Sequence, residues 1–221
     1  MKKGLLVCIL SALQCCDYET KQDLLTTAEV CAGKGDYYGA VKLLDSLIKQ
    51  DSNNLDARLN RGYYYEILGN NEKAILDYSK IICCIDKDNT AAYYNRALAY
   101  SKNNNSIKAL QDLNSAILSK GGEVLWVENT NTSIETYPHD IPMNELRFRR
   151  GVLLFEMDSL KSSFEDFNYV IQNRYLLEED YYYRGIIYLS FNNSKNGCED
   201  LKTASSYGNI DADTLIIKYC K

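Results

Sequence analysis

The chain has 221 residues, a formal net charge of −5, nineteen tyrosines, two prolines and one histidine. A chain of this length could form one or two ordinary domains. The acidic balance leaves no basic patch of the kind that nucleic-acid-binding proteins carry. The single histidine, His139, leaves little room for histidine-based catalysis.

The first residues have the features of an export signal. Lys2 and Lys3 precede an apolar run over residues 4–13, which is too short to span a bilayer as a permanent helix. The run ends in Leu-Gln-Cys-Cys at 13–16, which resembles a bacterial lipoprotein signal with Cys16 as the acylated residue. We predict a signal peptide over 1–15, lipidation of Cys16, which would give stable membrane attachment, and a polar tether over 16–23. A plain secretory signal is the alternative.

The rest of the chain repeats a pair of small residues spaced twelve positions apart. Successive pairs start 34, 35, 54 and 34 residues apart, which predicts an array of helical hairpins with one insertion. Small side chains let two antiparallel helices approach closely where they cross. The five pairs are Ala28/Ala40, Gly62/Ala74, Ala97/Ala109, Gly151/Ser163 and Gly185/Gly197.

Four units also carry an arginine and an aspartate sixteen residues apart, namely Arg61/Asp77, Arg96/Asp112, Arg150/Asp166 and Arg184/Asp200. The midpoints, Gly69, Asn104, Asp158 and Asn192, are all turn-type residues. Folding at the midpoint would bring the two charges to the same height. We therefore predict a structural ion pair inside each of these repeats. Pairing to the next repeat and scattered surface charges are the alternatives.

Three segments carry a resemblance to the tetratricopeptide repeat (TPR) family: Asn-Arg-Gly at 60–62, Lys-Ala-Ile-Leu-Asp-Tyr at 73–78 and Asn-Arg-Ala-Leu-Ala-Tyr at 95–100. The resemblance implies an all-α fold, an α-solenoid of about five hairpins, with repeats 1–3 over 24–117 and repeats 4–5 over 146–207. The proline that often ends such repeats is absent. The first unit has Thr27 and Leu43 where the others have arginine and aspartate, as in a degenerate terminal repeat.

An insertion over 118–145 separates units three and four. Two apolar and β-branched stretches at 123–127 and 133–137 flank residues 129–132, which predicts a short hairpin of strands. The insertion holds the only tryptophan, Trp126, and His139. Insertions in repeat arrays often lie on the binding face, so we predict a secondary partner contact here; neutral drift in a tolerant loop is the alternative.

The last segment, 208–221, is predicted to be a capping helix after the turn at 207–209. Cys198 and Cys220 lie eleven residues either side of Asn209, so they should meet across a hairpin. Export favours a disulfide between them over two buried thiols. We interpret Cys83 and Cys84 as core fillers. No cysteine or histidine spacing suggests a zinc site.

In TPR proteins the first helix of each hairpin lines a concave groove that holds a peptide or a partner helix. The matching positions here are Leu59, Tyr63, Glu66, Tyr94, Lys102, Phe148, Arg149, Tyr182 and Tyr183. Relatives that clamp a C-terminal carboxylate use polar groups where Tyr94 and Tyr182 stand, so this mode is not expected. A place in the core is the alternative for each ring. Three consecutive tyrosines at 63–65 and 181–183 cannot all point inward.

These features predict an exported, membrane-anchored lipoprotein of the bacterial cell envelope that binds another protein as a scaffold. A small-ligand or glycan-binding lipoprotein of an uptake system is the alternative. We expect no enzymatic activity, because the sequence has no phosphate loop and no nucleophile–base pair. We also expect no cofactor, no metal and no nucleic-acid partner.

Overall fold

The computed structural model describes residues 22–119 and 141–220, and every regular element in these two ranges is an α-helix. The predicted all-α fold class is confirmed. The helices are α1 (22–33), α2 (Tyr37–Gln50), α3 (Leu55–Ile67), α4 (Asn71–Cys84), α5 (Thr90–Lys102), α6 (Ser106–Leu118), α7 (Met143–Glu156), α8 (Leu160–Gln172), α9 (Leu177–Ser190), α10 (Ser194–Ser206) and α11 (Ile210–Tyr219).

Several predicted features lie outside the described residues. They are the signal peptide, Cys16, the hairpin of strands in the insertion, Trp126 and His139. Helix α6 ends at Leu118 and α7 begins at Met143, on either side of the insertion. Helix α1 is described from residue 22, so the last two residues assigned to the tether are helical.

The helices fall into two compact units. Among the described residues, the first comprises 22–103 with α1–α5, and the second comprises 104–119 and 141–220 with α6–α11. Within each unit, helices that follow one another in the chain pack together, as α3 does on α4 and α9 does on α10. Four of the five predicted hairpins each lie within a single compact unit. The third hairpin, α5/α6, has α5 in the first compact unit and α6 in the second.

The hairpin turns lie at the predicted midpoints. Gly69 has φ of 74°, and Asn104, Asp158 and Asn192 have φ of 55–58°, in the left-handed region that ends helices. After α3, the Asn70 N–H donates to the Tyr65 carbonyl at 2.7 Å, which satisfies an otherwise unpaired helix end. Asparagine then caps the next helix, with its side chain accepting a backbone N–H, at Asn54, Asn70, Asn89, Asn105, Asn193 and Asn209.

The recurring small residues mark the close approach of two helices. A Cβ on Gly62 would lie 2.6 Å from Cε1 of Tyr78, whose ring is fully buried. The Ser163 hydroxyl donates to the Gly151 carbonyl at 2.7 Å, between α7 and α8. Gly185 and Gly197 approach until a Cβ on either would meet the other's carbonyl oxygen at 3.0–3.2 Å. At these crossings no larger side chain fits without movement.

The five cysteines within the described residues divide into three kinds. Cys198 and Cys220 form a disulfide between α10 and the end of α11, with their Cα atoms 5.5 Å apart. Cys31 is partly buried against the cluster formed by α1, α2 and α3. Cys83 and Cys84 are exposed at the end of α4, so their assignment as core fillers is wrong. They lie two and three residues after Ile81, which occupies the buried face of α4.

Candidate partner-binding site

The structure brings together three of the four predicted arginine–aspartate pairs. In each pair Nε and Nη2 of the arginine donate to the two carboxylate oxygens at 2.6–2.9 Å, as a two-pronged ion pair. The pairs are Arg61/Asp77, Arg150/Asp166 and Arg184/Asp200. The fourth pair, Arg96/Asp112, has Arg96 in the first compact unit and Asp112 in the second, and it stays a prediction.

The aspartates of these pairs are buried rather than scattered over the surface. Asp112 is 5% exposed and Asp200 is 7% exposed, and Asp77 and Asp166 are buried more deeply. Asp200 receives both of its bonds from Arg184, at 2.7 and 2.9 Å. The alternative of scattered surface charges is therefore wrong for Asp112 and Asp200, and neither carboxylate is open to a binding partner.

The arginines also reach the preceding hairpin. The Nη1 atoms of Arg61, Arg96, Arg150 and Arg184 lie 2.6–3.0 Å from an oxygen two residues after that hairpin's aspartate position, on Asp45, Ser79, Asn114 and Asn168. Each arginine therefore joins two successive hairpins. Burial alone would lower the pKa of Arg61, but hydrogen bonds and charges from Asp77 and Asp45 raise it above its ordinary value. The arginines are structural.

Three residues assigned to the groove are buried. Leu59, Tyr94 and Phe148 are 2%, 6% and 3% exposed, so their assignment to an open groove is wrong. Each stands three residues before the small residue of its helix, and positions i and i+3 share a helix face. That face turns toward the neighbouring helix, as Phe148 shows by packing on Phe167 with ring centroids 6.2 Å apart.

The charged groove residues are paired. The Glu66 side chain is 5% exposed and accepts hydrogen bonds from the Tyr78 hydroxyl and from Lys102 Nζ, both at 2.8 Å. Glu66 is therefore a buried acceptor and not an open ligand contact. Arg149 is exposed and donates to Glu145 at 2.6 Å, one turn earlier on α7.

Two tyrosines of the predicted groove are partly buried and pack against other aromatic rings. Tyr183 stacks on Phe167 with ring centroids 5.1 Å apart and meets Phe155 edge-on at 5.3 Å. Tyr63 lies against Tyr64, with ring centroids 5.9 Å apart. Both keep part of their surface exposed.

The remaining groove tyrosine, Tyr182, lines a cavity of about 310 Å³ between α9 and α11, together with Ile186, Leu189, Ser190, Leu215 and Tyr219. The α9 members stand at i, i+4, i+7 and i+8, which is one face of a helix. The Ser190 hydroxyl already donates to the Ile186 carbonyl at 3.0 Å. The walls that remain are apolar, apart from the two phenols. We call this space the α9/α11 cavity.

Sequence reasoning identified Tyr182 but not the other five residues. The same-face spacing on α9 could have identified Ile186, Leu189 and Ser190. Leu215 and Tyr219 belong to α11, which was expected only to cap the array. This helix packs on α10 and α9 through Ala212, Leu215 and Ile216, and the disulfide joins its end to α10.

Carboxylates influence Tyr182, which lines the cavity, and its neighbour in sequence Tyr183, which packs on Phe155 and Phe167 instead. Burial raises the pKa of Tyr182, and the charge of Asp211 raises it further. Burial also raises the pKa of Tyr183, with added effects of Glu179 and Glu156 and an opposing effect of Arg149.

A second cavity, of about 410 Å³, lies at the first hairpin. Thr27 and Leu43, which replace the arginine and aspartate of the other units, line it with Asp23, Leu24 and Gln50. The loss of the ion pair in the degenerate first repeat thus coincides with an open, apolar recess.

Neither a metal site nor a membrane span is found in the described part of the chain. Within 22–119 and 141–220, no three histidine, cysteine, aspartate or glutamate side chains are grouped so that they could hold a metal ion. Over the same ranges, no helix combines the length and apolar character that crossing a bilayer requires.

Solved structures of TPR proteins have the same fold. The chain is similar to MamA (19% identity, 91% of this chain and 96% of that chain, TM-score 0.68) and to YrrB, described as a TPR protein with an unusual peptide-binding site (17%, 88% and 90%, 0.67). It is also similar to TTC0263 of Thermus thermophilus (14%, 90% and 97%, 0.55). No family model and no curated protein matches the chain. These similarities establish TPR-like hairpins.

Proposed function

We propose that this protein is an exported bacterial lipoprotein whose TPR-like hairpins bind another protein, as a scaffold in an envelope complex. The observation that carries the binding role is the α9/α11 cavity. It is a concave, largely apolar space on the first helix of a hairpin, closed on one side by α11. Sites of this kind bind side chains of a partner by removing apolar surface from water.

The charged residues of the predicted groove, and Ser190 of the cavity, support binding over catalysis. Glu66 and Lys102 pair with each other, Arg149 pairs with Glu145, and Ser190 donates to its own helix. These four polar side chains are thus engaged in structural contacts. The similarity to YrrB, for which a peptide-binding site is described, also favours a peptide-binding role.

The lining of the cavity favours a protein side chain over a sugar. Three of the six lining residues, Ile186, Leu189 and Leu215, offer no hydrogen-bonding group. A glycan presents many hydroxyls, and each one that loses water without gaining a partner weakens binding. An apolar side chain has no such cost.

Selection from a random peptide library tests the binding role. The purified protein is the bait, and the Ser190→Trp variant, which fills the cavity, is the comparison. Ser190 is exposed, so the variant should keep the wild-type melting temperature. We expect peptides that bind wild type and lose affinity for the variant. Peptides that bind both equally, or an empty selection, would refute the role of the cavity.

Export and lipid attachment rest on the sequence at residues 1–16. The mass of the N-terminal peptide from cells that express the full chain tests them. We expect cleavage before Cys16 and a mass increase equal to a diacylglyceryl group plus one further acyl chain. An unmodified Cys16 would end the lipoprotein proposal and leave the binding role untouched.

A further inference from the structure

Helix α11 has an exposed apolar stripe on its outer face. Ile210 and Ile217 are 78% and 76% exposed, and with the exposed Thr214 they stand at i, i+4 and i+7, which is one face of a helix. We call these three residues the α11 stripe. Ala212 and Leu215 pack on the last hairpin from the opposite face. The stripe departs from the polar outer face that the ends of repeat arrays need for solubility.

The beginning of α11 is acidic. Asp211 and Asp213 lie in its first turn, and both are exposed. The Glu178 carboxylate lies beside the turn that precedes the helix, with Oε2 3.7 Å from the Cβ position of Gly208. Asp213 accepts a hydrogen bond from the Ser205 hydroxyl at 2.6 Å, which leaves its negative charge in place. Three carboxylates therefore surround this end of the helix.

The other end of α11 is basic. Lys218 lies in the last turn, with Nζ 4.7 Å from the centroid of the Tyr219 ring. Tyr219 also lines a recess of about 310 Å³ against α10, together with Lys195, Lys202 and Glu199. Three lysines and one glutamate give this end a charge of +2, against −3 from the three carboxylates at the beginning.

We propose that the α11 stripe is a self-association surface, on which α11 of a second copy packs antiparallel about a two-fold axis near Thr214. In such a contact each residue meets the one to which the axis relates it, so Ile210 of one copy lies against Ile217 of the other. The acidic beginning of each helix then lies beside the basic end of its partner. A parallel pair would place like charges together, which costs free energy.

Asp211 and Lys218 give this arrangement a specific ion pair. They stand seven residues apart, which is about two turns and roughly 10 Å along the same side of the helix, next to the stripe. Two antiparallel helices bring the same flank of each together, so Asp211 of one copy lies opposite Lys218 of the other. Because the contact is two-fold symmetric, this pair occurs twice.

The contact is short, and it leaves the proposed binding site open. Helix α11 has ten residues and is about 15 Å long, so it buries less than the roughly 800 Å² per partner of a standard interface. We therefore expect a weak dimer, with a Kd on the order of 100 µM. Leu215 and Tyr219, which line the α9/α11 cavity, lie on the face of α11 opposite the stripe. The dimer would thus offer two cavities, but its formation does not depend on their binding role.

Sedimentation equilibrium of the purified protein between about 10 and 500 µM tests the proposal. Wild type should pass from monomer to dimer over this range; a wild type that stays monomeric overturns the proposal. Ile210→Ser/Ile217→Ser should weaken the dimer at least about ten-fold, because it removes the apolar stripe. The control, Leu76→Ser/Ile107→Ser, changes side chains that are 70% and 67% exposed on α4 and α6, and it should dimerise as wild type does. Equal loss in the two variants also overturns the proposal.

A charge exchange tests the antiparallel arrangement. Asp211→Lys and Lys218→Asp should each weaken the dimer about ten-fold, because each places like charges opposite one another. The double exchange, Asp211→Lys/Lys218→Asp, should return the Kd to within about three-fold of wild type. Each change also opposes the helix dipole of α11, and that effect alone would make the double exchange the weakest dimer. A double exchange that dimerises no better than the single variants overturns the arrangement.

Discussion

Arg150 and Asp166 meet across the α7/α8 hairpin, where Nε and Nη2 of the arginine lie 2.7 and 2.8 Å from the two oxygens of a fully buried carboxylate. A third nitrogen of Arg150, Nη1, donates to Asn114 on α6 at 2.7 Å. One side chain therefore joins three helices of this unit. Its neighbour in the sequence, Arg149, points to the surface and pairs with Glu145.

These two adjacent arginines give a matched test of the ion pairs. Arg150→Ala should lower the free energy of unfolding by about 3 kcal/mol, because it leaves a buried charge with one fewer partner. Arg147 still donates to Asp166 at 3.0 Å, which limits the loss. Arg149→Ala should cost no more than about 1 kcal/mol. Urea denaturation measures both, and equal losses would contradict the structural role.

Because α3 and α4 approach closely at Gly62, we predict that even a methyl side chain at this position lowers the free energy of unfolding. Gly62→Ala would place a Cβ 2.6 Å from the Tyr78 ring, which is buried and donates its hydroxyl to Glu66. We expect a loss of about 1–3 kcal/mol in thermal or urea unfolding. Gly33→Ala is the control, since no atom lies within 4 Å of its Cβ position, and it should be neutral or stabilising.

A compensating change makes this prediction sharper. Tyr78 stands sixteen residues after Gly62, and Leu113 stands sixteen after Ala97. The repeat with alanine thus has a smaller residue at the matching place. Adding Tyr78→Leu to Gly62→Ala should therefore cost less than the sum of the two single changes. Strict additivity would show that the two positions do not share this space.

Asp180 predicts a pH dependence of stability. It is fully buried at the start of α9, neither carboxylate oxygen has a hydrogen-bond partner among the described residues, and burial, with a smaller effect of Glu179, raises its pKa to about 7. Between about pH 4 and pH 7 the unfolded chain loses this proton while the folded chain keeps it. The contribution of Asp180 to stability is therefore lost as the pH rises through this window.

The Asp180→Asn variant tests this sign. It should melt higher than wild type at pH 7, and the difference should shrink toward pH 4, where the carboxyl is protonated in both states. Melting curves at several pH values measure the effect. The exposed Asp88→Asn change should show no such trend. A variant less stable than wild type at pH 7 would mean that Asp180 has a stabilising partner when ionised.

The disulfide between Cys198 and Cys220 predicts that the last helix depends on oxidation. It closes a loop with a sequence separation of 22 residues, for which the chain-entropy estimate is about 3 kcal/mol. Dithiothreitol should therefore lower the melting temperature of wild type. A Cys198→Ser/Cys220→Ser variant should melt near the reduced wild type and should not respond. A wild type that does not respond to reduction would argue against the bond in solution.

The sequence predicted the structural features that recur from repeat to repeat. The hairpin turns at Gly69, Asn104, Asp158 and Asn192 and the small residues at the crossings follow from one period, and the fold class depends only on these. The residues that accept a hydrogen bond from Nη1 of each arginine were not predicted, because their types differ from repeat to repeat. They are Asp45, Ser79, Asn114 and Asn168. When several polar residue types can make the same contact, no single residue type recurs at that position of the repeat.

Spacing alone did not predict how deep the recurring aspartates lie. It placed Asp200 opposite Arg184, and the structure confirms this pair. The burial of Asp112 and Asp200 depends on the helices packed around them, and a surface location would have fitted the same spacing. A charge that lies this deep is retained only with partners, which is why the arginine recurs with it.

The proposed binding face was harder to predict, because the position of a residue within a TPR-like repeat does not show whether a neighbouring helix buries its side chain. Leu59, Tyr94 and Phe148 match groove positions but share a face with the small crossing residue of their helix, and they are buried. Tyr182 belongs to the last full hairpin. It lines a cavity because only α11 follows it. That end effect depends on tertiary packing.

Photo-crosslinking in the native cell tests the central claim most directly, with p-benzoylphenylalanine in place of Tyr182 in the α9/α11 cavity or of Tyr38, which is 71% exposed on α2. We predict one discrete crosslinked product from position 182 and none of that mass from position 38. Mass spectrometry should place the crosslink in a segment of another protein that carries an apolar side chain. No product from position 182, or the same products from both positions, would contradict the account.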